Sequence, residues 1–171
     1  MELIEQLKKD GIDKGLCQLW QGKLKAGLTT EELAKLYIQG IDFCISNDYP
    51  TLDFLRKHFK GQCEPFGVYV DDDIDYAYNK PDMVLNGDCR AIIGYGEYSV
   101  SRLYVRHTSE IIVVVEDNAM LTLDVFDNAK VHLMVTSPKA KVIVNTYGNG
   151  AAIDNQGQSN YTIVHHDKPT Y

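Results

Sequence analysis

From residue 89 onward, uncharged side chains fall at every second position in runs of four, and the runs recur about every ten residues. The slots read Cys89, Ala91, Ile93, Tyr95; then Ser99, Ser101, Leu103, Val105; then Ser109, Ile111, Val113, Val115. They continue as Ala119, Leu121, Leu123, Val125; Ala129, Val131, Leu133, Val135; and Ala140, Val142, Val144, Thr146. None of these slots is charged, whereas the residues between them include Arg90, Arg102, Glu110, Asp124, Lys130 and Lys141. Period-two alternation with one uncharged face predicts strands buried on one side. Extra residues fall in the connectors TSPK (136–139) and YGNG (147–150). The pattern weakens through Ala151 and Ile153 and echoes once more at Ser159, Tyr161 and Ile163.

Each unit is then a strand of about seven residues and a corner of about three. EDNAMLTLDVFDNAKVHLMV (116–135) spells the corner twice, as Asp117-Asn118-Ala119 and Asp127-Asn128-Ala129. Asn is expected to take the left-handed conformation of the sharp turn, and a small residue follows because an inward side chain there has little room. Hairpin corners favour Asn-Gly or Asp-Gly. Asp-Asn-Ala with a recurring small residue favours a β-solenoid of two decamers per turn over an antiparallel meander or sandwich.

Two decamers per turn sort the outward residues onto two faces. One collects Ile92, Ile112, Val114 and Met134, with Glu110, Lys130 and His132 beside them. The other collects Arg102, Tyr104, Thr122, Asp124, Ile143 and Asn145. Solvated faces rarely stack isoleucine, valine and methionine in a column. The first face is therefore expected to be covered, by helices or by a second copy. Coil ends expose strand edges. The helical segment is expected to close one end, and the polar DNQGQSN segment with Pro169 the other.

Residues 1 to about 60 change period to that of amphipathic helices. A start is read at Asp10-Gly11-Ile12-Asp13, with Ile12, Leu16, Leu19, Trp20 and Leu24 on one face and a stop at Gly27. Thr29-Thr30-Glu31-Glu32 is a capping box, with Thr29 capping and Glu32 reaching back. Leu33, Leu36, Tyr37, Gly40, Ile41 and Cys44 form the next stripe, where Gly40 admits a close neighbour. Pro50 suits a first helical turn before Leu52, Leu55, His58 and Phe59, with a stop near Gly61. The expected layout is a helical segment over 1–65, a linker and first strands over 66–88, and solenoid repeats with a C-terminal cap over 89–171. The fold class is α+β.

GLCQLWQ (15–21), GIDFCISNDYPTLDFLRKHFKG (40–61) and FGVYVDD (66–72), followed by decamers, resemble an uncharacterised family from gut Bacteroides-type bacteria and their phages or mobile elements. The resemblance spans most of the chain. Its motifs are structural, so it implies a cytoplasmic or phage-associated setting and no catalytic residues.

Charge narrows the function classes. A net charge of −7 opposes phosphate binding, which needs a basic face, so no nucleic-acid partner is expected. PTLDFLRKHF (50–59) would be the recognition helix of a helix-turn-helix, but its first turn is apolar and acidic; a packed hairpin is the expectation. Met1-Glu2-Leu3-Ile4-Glu5 does not read as a secretory signal, and no apolar run approaches the ~20 residues of a membrane span. Cys17, Cys44, Cys63 and Cys89 are scattered without a Cys-x-x-Cys pair, which suits free thiols and a cytoplasmic location.

Candidate chemistry is thin. DDDID (71–75) loosely resembles a calcium loop but has Tyr76 where glycine is required and Asp82 where glutamate is preferred, so it reads as an acidic linker. HHD (165–167) lacks partners at ligand spacing and reads as a frayed terminus. Asp124 and Arg102 could be face neighbours, as in solenoid enzymes that cleave acidic sugars, but corners of about three residues give no walls to a cleft. No catalytic residue, cofactor or metal is expected. The leading expectation is a non-enzymatic binding or assembly module that self-associates or binds a protein. The alternatives are a phage-type inhibitor acting through an acidic surface and, last, a carbohydrate-active enzyme.

Overall fold

A computed structural model describes residues 3–157 and 160–171 of the chain. Ser159, which opens the last predicted echo, lies outside the described residues, as do Met1, Glu2 and Gln158. Five helices come first: α1 (Leu3–Asp13), α2 (Gln18–Lys23), α3 (Thr30–Gln39), α4 (Ile41–Ser46) and α5 (Leu52–His58). A single 3₁₀ turn (Glu64–Phe66) leads into the strands.

These are β1 (Val68–Val70), β2 (Asp73–Tyr78), β3 (Asp82–Asn86), β4 (Arg90–Tyr95), β5 (Val100–Val105) and β6 (Glu110–Val115). β7 (Met120–Val125), β8 (Lys130–Val135), β9 (Lys141–Tyr147), β10 (Ala152–Gly157) and β11 (Tyr161–His166) complete the coil. Successive strands alternate between two sheets. Sheet A runs β1-β3-β5-β7-β9-β11, and sheet B runs β10-β8-β6-β4-β2.

Every pairing is parallel, so the chain is a β-solenoid and the meander alternative is excluded. Glu110 lies beside Lys130, and Val100 beside Met120, which is the twenty-residue coil of two decamers. The single extra residues in TSPK and YGNG shift later partners to Met120–Lys141 and Lys130–Ala152 without changing which side chains point inward.

All the predicted slots are buried except Ser99, which is half-buried. Leu103, Val113, Leu123, Leu133 and Val144 stack along the coil axis with no exposure. Each such side chain contributes roughly 1.5–3 kcal/mol on burial, which makes this row the main stabilising element.

The corners differ from expectation in which residue turns. The left-handed positions are Glu97, His107, Asp117 and Asp127, with φ of 56°, 59°, 53° and 57°, rather than Asn118 and Asn128. Aspartate is favoured by a bond to the neighbouring coil. The Asp117 carboxylate accepts from the Glu97 N–H at 2.8 Å, and that of Asp127 from the His107 N–H at 2.9 Å. The asparagines continue the backbone ladder, Asn118 donating to the Glu97 carbonyl and Asn128 to the His107 carbonyl, both at 2.9 Å. The small residue after them is confirmed: Ala119 and Ala129 are fully buried.

The solenoid also starts earlier than the acidic-linker reading supposed. Asp71 is itself a left-handed corner residue with φ 48°, and Asp73–Tyr78 is strand β2. Asp71 accepts from Arg56 Nε at 2.7 Å and from the Asp88 N–H at 2.9 Å. Those donors hold its carboxyl below the usual range, Arg56 contributing most.

The first helix start was misplaced, because Asp10-Gly11-Ile12-Asp13 ends α1 rather than beginning a helix. The Leu16 N–H donates to the Gly11 carbonyl at 2.8 Å and the Gly15 N–H to Ile12 at 3.0 Å, with Gly15 at φ 88°. This six-to-one and five-to-two pair is a Schellman stop. The capping box holds: the Glu32 N–H donates to Thr29 Oγ1 at 3.2 Å, and the Thr29 N–H to Glu32 Oε2 at 2.8 Å. Gly40 separates α3 from α4, and a β-carbon there would lie 3.3 Å from the Trp20 ring, so the close neighbour is an indole. Pro50 precedes the cap residue Thr51 rather than opening α5.

The helices pack as one apolar cluster with Val68, Val70, Val84, Tyr104, Phe126 and Tyr147, all on the outer side of sheet A. Among the described residues, no helix is long and apolar enough to cross a membrane.

Candidate functional site

The two faces sort as the twenty-residue coil requires; of the two covers expected for the isoleucine face, helices or a second copy, the helices lie on the opposite face. Sheet B carries Ile92 beside Ile112 beside His132, and Val114 beside Met134. That column was expected to be covered by helices or by a second copy; the helices do not cover it, and Ile92, Ile112 and His132 line an open groove of about 800 Å³. The helices pack instead on outward residues toward the ends of the sheet A strands, Val84, Tyr104, Phe126 and Tyr147, three of them aromatic.

On the sheet B face, Ile92 and Ile112 are 41% and 38% exposed, while Val114 and Met134 are half-buried. One flank is a charge row in strand register, Arg90, Glu110 and Lys130. Lys130 Nζ donates to Glu110 Oε1 at 2.7 Å, and that contact holds the Glu110 carboxyl below the ordinary range. At the C-terminal side His132 Nδ1 lies 2.9 Å from Asp154 Oδ2. At the N-terminal side Tyr76 and Tyr78 stack at 6.1 Å and lie over Gly94, where a β-carbon would meet the Tyr76 hydroxyl. Apolar centre, charged flank and aromatic end make a mixed surface suited to another protein.

The sequence did not single out Tyr76, Tyr78 or Asp154. The signal for the tyrosines was available: glycine at 94, between the in-slots Ile93 and Tyr95, leaves room for a ring from the preceding coil.

The polar face on sheet A is partly sealed. Arg102 pairs with Asp82 rather than Asp124, its Nε donating to Oδ1 at 2.8 Å and Nη2 to Oδ2 at 3.3 Å. Asp124 is 7% exposed. Asn145 Nδ2 donates to its Oδ1 at 2.6 Å and the Tyr171 hydroxyl to its Oδ2 at 2.6 Å. Burial raises the Tyr171 phenol, and the contact with Asp124 raises it further; burial also raises Tyr104, with Arg102 opposing. A carboxylate with both oxygens bonded beneath a tyrosine ring is a structural anchor.

The C-terminal tail therefore lies on sheet A, and Pro169 packs over Gly148 instead of closing the coil end. HHD is not frayed. His165 and His166 belong to β11, and His166 stacks on Tyr147 at 4.5 Å, which stacks on Phe126 at 4.5 Å.

A buried polar node joins the two halves of the chain. Arg106, 3% exposed, donates from Nη1 to the Tyr37 hydroxyl at 3.2 Å and to Asn86 Oδ1 at 3.3 Å. Tyr37 donates to the same Asn86 oxygen at 2.9 Å, and burial pushes its phenol up to about 12. Burial likewise pushes the Cys44 and Cys63 thiols up to about 12 and Cys89 to about 11, which keeps them protonated and unreactive. Among the described residues no cluster of three or more His, Cys, Asp or Glu is placed to hold a metal ion.

The chain matches no protein-family model, no curated protein and no solved structure.

Proposed function

We propose that the protein is a non-enzymatic binding and assembly module whose working surface is the outer face of sheet B. One observation carries the reading: the helical block covers sheet A, while Ile92 and Ile112 line an open groove on sheet B, with half-buried Val114 and Met134 farther along the same sheet. A five-stranded sheet with exposed isoleucines at its centre and a charged flank matches the core-and-rim pattern of a protein interface. The partner is a protein, either a second copy or another chain, and neither nucleic acid nor membrane is involved. Four free cysteines, three of them buried, support a reducing cytoplasmic setting.

The test is light scattering on Ile92→Glu/Ile112→Glu beside the parent protein. Two carboxylates at the centre of the column disfavour burial against another apolar surface, so the variant is expected to show a lower mass at equal concentration. An unchanged mass, with an unchanged circular dichroism spectrum, contradicts self-association through this face.

A further inference from the structure

The two ends of the solenoid are finished differently. At the N-terminal end the outermost strands are protected. The Val68 N–H donates to the Cys63 carbonyl at 3.2 Å and the Val70 N–H to Asp72 Oδ2 at 2.7 Å, so the edge of β1 has its donors satisfied. β2 pairs with β4 through a register shift between Ile74 and Ala77 and carries exposed Asp73 and Asp75. A bulge and edge carboxylates are devices that prevent strand addition.

The C-terminal end has no bulge, and the exposed carboxylate on its strand β10, Asp154, is engaged by His132 Nδ1 of β8 at 2.9 Å. β11 pairs with β9 without a shift from Tyr161 to His166, and β10 pairs with β8 in the same regular way. The Gly148 N–H donates to the His166 carbonyl at 2.9 Å, so in the alternating pattern of a parallel ladder Val164 and His166 face β9. Ile163 and His165 then direct their N–H and C=O groups away from the sheet, and among the described residues those N–H groups have no partner. The apolar row opens here too: Ile163 is 39% exposed and Ile153 only half-buried. Of the residues after β11, Pro169 packs over Gly148 and Tyr171 lies against Asp124 on sheet A.

We infer that this end is a dimer interface, and that its occupant is the C-terminal end of a second copy. The argument is one of matching shape. Two strand edges lie side by side across one core, about 10 Å apart as in any face-to-face sheet packing. A single extended peptide satisfies one edge and leaves the other bare. A second solenoid end of the same cross-section satisfies both, and this chain's N-terminal end has its β1 donors occupied and its β2 register shifted. A two-fold axis normal to the sheets places β11 against the second copy's β11 and β10 against its β10, both antiparallel. Inward side chains must meet inward side chains, which puts Ile163 on the axis opposite its own copy. The contact joins the two five-stranded B sheets into one continuous surface. It thereby extends the face on which the proposed function rests.

The experiment is light scattering in the Ile92→Glu/Ile112→Glu background, where any contact through the sheet B face is removed. The inference predicts a dimer that persists in that background and becomes a monomer on adding Ile163→Lys, an inward charge at an edge. Ile163→Pro is the companion variant, since it removes a free N–H without breaking a bond to β9, and it is expected to give the same monomer. Circular dichroism reports whether each stays folded. A monomer already in the Glu/Glu background overturns the end contact, and so does a dimer that survives folded Ile163→Pro. Failure of the face reading alone shows differently: the Glu/Glu pair then leaves the mass unchanged while Ile163→Lys still lowers it.

Discussion

At the residue scale, the corners decide whether a coil can stack. Three left-handed residues hold the coil before them through their side chains, and the set is chemically mixed: Asp117 and Asp127 accept through carboxylates, and His107 accepts from the Gly87 N–H through Nδ1 at 3.0 Å. That bond requires a neutral ring with its proton on Nε2. Burial, with Arg106 beside it, holds His107 below the usual histidine range. The unfolded chain therefore takes up a proton first as the pH drops below about 6.5. The stabilisation from His107 is complete above that pH and is lost progressively as the pH falls toward the folded value. His107→Asn keeps a residue tolerant of positive φ and removes the titration. Urea denaturation from about pH 7 to 5 should show a shallower loss of stability for the variant than for the parent. Equal slopes would mean that His107 is not coupled to folding.

The same corners show where sequence reasoning stops at this scale. Asp-Asn-Ala identified a turn and a small inward residue, and both are present. It did not identify which of Asp and Asn turns, because both tolerate positive φ and the deciding bond is made to a residue twenty positions away.

At the scale of elements, legibility follows how local the determining contact is. The capping box was readable because Thr29 and Glu32 complete it between themselves. The strand register was readable because one uncharged face repeats through every coil, and a one-residue slip would expose all of it. The end of α1 was misread, since Asp10-Gly11-Ile12-Asp13 satisfies a start signal while the deciding Schellman bonds run from Leu16 and Gly15. Within the expected linker and first strands, the start of β2 was read as linker because its bulge and acidic edge break the alternation that marked the other strands. The register itself has a direct check. Leu133, fully buried, and Thr122, outward on the neighbouring sheet, differ only in which side of a strand they occupy. Leu133→Asp is expected to leave no cooperative thermal transition, since an unpaired carboxylate in the core costs several kcal/mol against about 5–15 of total stability. Thr122→Asp should stay within roughly 1 kcal/mol of the parent. Equal tolerance of the two would contradict the register.

For the whole molecule, the instructive misplacement is the helical block. The sequence sorted the outward residues into two faces correctly, yet offered the helices, beside a second copy, as a cover for the one with the isoleucine column. Tyr104 reads as polar in a list of side chains, but its ring is buried beneath the helices together with Phe126 and Tyr147. Phe126 lies just past the end of β7 and Tyr147 at the end of β9, outside the positions that the slot pattern ranked. Arg106 and Asn86, which tie Tyr37 of α3 to the solenoid, also sit at strand ends. The choice of face was thus carried by residues at the margins of the repeat. With sheet A occupied, the exposed isoleucines of sheet B and the outer edges of β10 and β11 are the proposed contact surfaces.

Solution mass tests that claim most directly. Light scattering over a wide range of concentration is expected to give a mass above that of one 19.3 kDa chain, tending to the single-chain value only on dilution. A mass of one chain at every concentration would contradict assembly through either surface.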